Sequence, residues 1–109
     1  MRLSVKKDIK RLHTFIKQYY TSFNIIHDTK MNEDTVFMGV EKFFFRNSSR
    51  VSLSIVMVRE EYSTIIDIVG SGGGQGMIFK FDWGAKESLE RGVLKILSKN
   101  DISFNVISE

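Results

Sequence analysis

The chain has 109 residues, enough for one domain with one core, and no cysteine, which excludes a disulfide framework and any thiolate ligand or nucleophile. An apolar share of 42% and a charged share of 27% are those of a soluble globular domain rather than a disordered chain. The net charge of +3 is uneven: residues 1–20 hold six cations against Asp8 alone, a net of +5, so the rest stands at −2 and the basicity belongs to one element.

No apolar run near the start reads as a signal peptide. None approaches the roughly 18 residues of a membrane span, so a cytoplasmic protein without a membrane span is expected. Val5, Ile9, Leu12, Ile16 and Tyr19 recur at helical spacing. They predict a first helix from Val5 to Tyr20, with Ser4 as its N-cap and a basic outer face. Residues 23–27 read as a short strand. Four more strands follow at 35–45, 51–58, 62–69 and 77–81. Their connections, Asn47-Ser48, Glu60-Glu61 and residues 70–76, are short enough for an antiparallel meander. Asp82 can cap a second helix with Leu89, Val93, Ile96 and Leu97 on its apolar face. Gly92 in its middle costs roughly 1 kcal/mol relative to alanine and points to close packing. Ile102, Phe104 and Val106 alternate as a last strand.

This order, αβββββαβ, predicts one α+β domain over residues 1–109: an antiparallel sheet with two helices on one face. Ser22-Phe23-Asn24-Ile25-Ile26 is echoed by Ser103-Phe104-Asn105-Val106-Ile107, in each case after a helix. Two copies are too few for a repeat architecture.

Two-residue turns at Asn47-Ser48 and Glu60-Glu61 and a symmetric loop over residues 71–76 set Val40, Ile55, Ile66 and Phe81 in one core row, with Lys42 the misfit on that face; a three-residue turn over residues 47–49 would put Glu41 there instead. On the opposite face they set Glu41, Ser54, Asp67 and Lys80 in a row, with Asp67 and Lys80 as cross-strand neighbours. That face also carries Phe43, Val56, Ile65, Val69 and Ile78. It is apolar enough to suggest a homodimer through the sheet face or an edge strand.

Gly70-Ser71-Gly72-Gly73-Gly74-Gln75-Gly76 is neither a phosphate loop nor a dinucleotide fingerprint: no Gly-Lys-Ser/Thr follows, and a strand, not a helix, comes next. Three readings stand at this loop. One is a flexible hairpin connection. Another is a nest of backbone amides for a small anionic ligand. The third is a contact with another protein. In a meander the Asn47-Ser48 turn lies at the same end as this loop. Arg46 and Arg50 are therefore expected beside Ser71, Gly72, Gly73, Gly74, Gln75 and Gly76, with Glu60 and Glu61 at the far end.

His13 and His27 stand far apart and without a cysteine, so no metal site is expected. No cofactor motif or catalytic residue set is present. Glu41, Ser54 and Asp67 lack a histidine or oxyanion donor beside them on an open sheet face. The basic helix could meet nucleic acid, but no recognition motif accompanies it. The expectation is a non-enzymatic binding or regulatory module. The class-different alternatives are an enzyme acting on a small anionic substrate, or a nucleic-acid contact through the first helix.

The segments Glu41-Lys42-Phe43-Phe44-Phe45-Arg46-Asn47-Ser48-Ser49-Arg50, Gly70–Gly76 and Phe79-Lys80-Phe81-Asp82-Trp83-Gly84-Ala85 together resemble a family of small, single-domain Firmicutes proteins of unknown function. The resemblance spans nearly the whole chain. It implies a bacterial cytoplasmic setting and carries over no activity, ligand or site residue.

Overall fold

The computed structural model describes residues 1–21, 23–44, 49–72 and 92–108. The elements are β1 (Arg2–Val5), α1 (Ile9–Tyr19), β2 (Asn24–Asn32), β3 (Thr35–Phe44), β4 (Ser49–Arg59), β5 (Thr64–Gly72), helical residues 92–99 (α2) and β6 (Phe104–Ser108). The six strands form one antiparallel sheet in the order β2-β3-β4-β5-β1-β6. With the two helices this is the α+β architecture that the periodicities predict. The helix–strand echo is present too: β2 and β6, the strands that follow the two helices, form opposite edges of the sheet.

The N-terminus departs from expectation. Val5 fits the helical spacing, but Leu3 and Val5 also alternate with Arg2 and Ser4. The strand reading holds, and both apolar residues are fully buried. Asp8, not Ser4, caps α1: its carboxylate accepts from the Arg11 amide at 3.2 Å, satisfying a donor that the first turn leaves open. Val5 is therefore one turn outside the helix.

β1 lies inside the sheet, between β5 and β6. Leu3 faces Ile66 and Arg2 faces Asp67. The Met1 amino group donates to the Ile68 carbonyl and the Ile68 amide to the Met1 carbonyl, both at 2.8 Å. This overturns the expected Asp67–Lys80 pair. The edge of β5 reserved for residues 77–81 is taken by β1, and Asp67 lies between Val56 and Arg2. Lys80 and the rest of 77–81 fall outside the described residues.

The meander is offset by two residues from the two-residue-turn register. Between β4 and β5 the connection is four residues, 60–63, closed by the Glu60 amide on the Ser63 carbonyl at 2.8 Å. Met57 faces Ile66, Ile55 faces Ile68, Val40 faces Leu53 and Met38 faces Ile55. An even offset keeps every side chain on its face, so the buried set survives while the rows change. Glu41 now stands opposite Ser52, and Ser54 opposite Val69. The expected Glu41–Ser54–Asp67–Lys80 row does not form. Lys42, the expected misfit, sits opposite Val51 and is exposed. Its ammonium lies 4.6 Å from the centre of the Phe23 ring.

The core lies between the sheet and the helices. Leu12, Ile16 and Tyr20 from the α1 segment and Val93 and Leu97 from α2 close over Met38, Leu53, Ile55 and Met57. Gly92 explains itself here: a Cβ at this position would come within 2.6 Å of the Tyr19 ring. Past the end of α2, Asp101 with a φ of 55° turns the chain toward β6, while the Ile102 amide bonds the Leu97 carbonyl at 2.9 Å.

Candidate functional site

Strand alternation puts Glu41, Arg50, Ser52 and Ser71 on the sheet face away from the helices. The register sets Glu41, Ser52 and Ser71 in one row, with Asn24 beyond Glu41 on β2. The Ser52 and Ser71 hydroxyls are 2.8 Å apart, and the Asn24 amide donates to Glu41 Oε1 at 3.2 Å. Arg50 stands one side-chain step along β4, with Nε 3.9 Å from Glu41 Oε2 and its side chain 64% exposed. At that separation the guanidinium retains most of its donors for another acceptor.

Of the residues expected at this end, Arg50, Ser71 and Gly72 are brought together. Arg50 and Ser71 share a face of adjacent strands, and Gly72 lies opposite Val51. Arg46, Gly73, Gly74, Gln75 and Gly76 lie outside the described residues. Glu41, not among the expected members, is the counter-charge here. The same face carries Phe43 and Val69, both exposed, and the half-buried Val56 and Ile65. Ile78 lies outside the described residues.

A second polar cluster joins α1 to β2 on the helix side. Asp28 Oδ1 is 2.7 Å from His13 Nε2, and Oδ2 is 2.9 Å from Lys17 Nζ. An ionised carboxylate only accepts, so the imidazole donates. Burial pushes the Asp28 carboxyl upward, but the hydrogen bonds from Lys17 and His13 and the charges behind them outweigh it and hold it below its ordinary value. The spacing held a signal for this cluster: His13 and Lys17 are one helical turn apart and share a face. His27 is on the other side of the sheet, its ring 5.0 Å from that of Phe37. The two histidines therefore do not converge. Among the described residues no three His, Asp or Glu side chains gather as metal ligands, and no helix is long and apolar enough to cross a membrane.

A search of curated proteins returns no match to this sequence. A family model matches residues 1–101, all of the chain but its last eight residues. By that match the chain belongs to a family of unknown function, DUF6054.

Proposed function

We propose that this protein is a small, non-enzymatic binding or regulatory module that holds an anionic ligand at the glycine-loop end of its sheet. The observation that carries this reading is the placement of Arg50. It is largely exposed, only loosely held by Glu41, and stands on the same face and at the same end as the paired hydroxyls of Ser52 and Ser71. A guanidinium offers a permanently charged fork and the hydroxyls offer rotatable donors, a set suited to phosphate or carboxylate. The glycines after Gly72 allow close backbone approach to such a group. A thermal-shift screen of phosphate-bearing metabolites tests it. At least one is expected to raise the melting temperature of the wild type and not that of Arg50→Ala. Equal shifts in both proteins, or none in either, would reject the site.

A further inference from the structure

The described cations divide by location. Those on the sheet or tying α1 to it are engaged: Arg2 with Asp67, Lys17 with Asp28, Lys30 with Glu33, Arg50 with Glu41 and Arg59 with Asp34. Lys6, on the β1–α1 connection, and Lys10, Arg11, Lys95 and Lys99, on the helices, make no ion pair with another described residue. Lys7 lies 5.7 Å from the centre of the Phe15 ring, at one border of that ring. The four on the helices flank an apolar surface. A groove of about 520 Å³ between α1 and α2 is lined by Phe15, Tyr19 and Ile96, with Lys95 and Lys99 at its border. Phe15 also lines an adjoining recess bordered by Lys10 and Arg11. The pair Lys95 and Lys99 stands one turn apart on α2, about 6 Å along its axis.

We infer that this surface docks an acidic amphipathic helix of a protein partner. Its apolar side chains would seat on Phe15, Tyr19 and Ile96, and its carboxylates, one turn apart, would meet the lysines of α2 on one side and Lys10 and Arg11 on the other. Cations on both sides of the shared aromatic floor favour an elongated partner over a compact ligand that fills one recess. The site is on the helix side of the sheet, opposite Arg50 and Ser71, and is independent of the anion site.

The test is an NMR titration of the full chain with a synthetic helical peptide carrying glutamates and leucines on one face, beside a scrambled peptide of equal composition. Shifts are expected at Phe15, Tyr19 and Ile96 with the ordered peptide. The double reversal Lys95→Glu, Lys99→Glu, its fold checked by circular dichroism, is expected to weaken binding about tenfold or more. Arg50→Ala is expected to leave binding unchanged. Absence of binding, equal binding of the scrambled peptide, or binding that survives the reversal would overturn the inference. So would perturbation of these residues by phosphatidylglycerol vesicles or a single-stranded oligonucleotide in place of the peptide.

Discussion

Arg2 holds Asp67 across the β1–β5 junction with two hydrogen bonds, Nε to Oδ1 at 2.7 Å and a terminal guanidinium nitrogen to Oδ2 at 3.0 Å. Both side chains are well exposed, so the pair marks the register more than it stabilises the fold. What it marks is that the first strand is internal to the sheet, with β5 on one side and β6 on the other.

The energetic weight of that strand rests on its buried residues. Leu3 is fully buried opposite Ile66. Leu3→Ala is expected to cost about 2–4 kcal/mol in urea unfolding, whereas Arg2→Ala should leave a folded protein with a similar midpoint. Were residues 2–5 a frayed entry to the helix, the Leu3 substitution would be nearly silent.

Gly92 and Tyr19 give a second test. Alanine favours a helix interior by about 1 kcal/mol over glycine, but its Cβ would meet the Tyr19 ring. That ring packs edge-on against the fully buried Tyr20 at 4.8 Å and cannot swing away without losing the contact. Gly92→Ala should therefore destabilise the wild type. In a Tyr19→Ala background the same change should stabilise by about 0.5–1 kcal/mol. The same sign in both backgrounds would show that the close approach is not what selects glycine.

The Asp28 cluster predicts a pH dependence with a definite sign. A carboxyl held below its ordinary value in the folded state stabilises fully above the unfolded value of about 3.9. That contribution is lost as pH falls through the lower folded value. Asp28→Asn keeps one acceptor but turns a donor toward Lys17 or His13. It should cost about 1–2 kcal/mol at neutral pH, with the gap to wild type closing in acid. Parallel stability curves for the two proteins down through that range would contradict the assignment.

The sheet, its buried face and the close packing at Gly92 were legible because they follow from periodicity and from glycine's missing side chain. The row pairings were not. A two-residue offset returns every side chain to its face, so alternation alone does not separate Ile55 opposite Ile66 from Ile55 opposite Ile68. Tyr62 looked like the first residue of a strand but stands 85% exposed in the four-residue connection. Val5 satisfied both periods, and the capping carboxylate of Asp8 decided between them. At the candidate site the shared sheet end of Arg50 and Ser71 followed from the alternation of hairpin ends. Glu41 as the partner of Arg50 depended on the true register and could not be read in advance.

The anion site is tested most directly by ¹⁵N NMR with the metabolite selected in the thermal-shift screen, comparing wild type with Arg50→Ala. Saturable shifts are expected at Arg50, Ser52, Ser71 and residues 72–76, with residues 60–63 at the far end unmoved and the response lost in the variant. Shifts confined to other parts of the chain, or shifts at the glycine loop that persist unchanged without Arg50, would contradict an anion held at this end of the sheet.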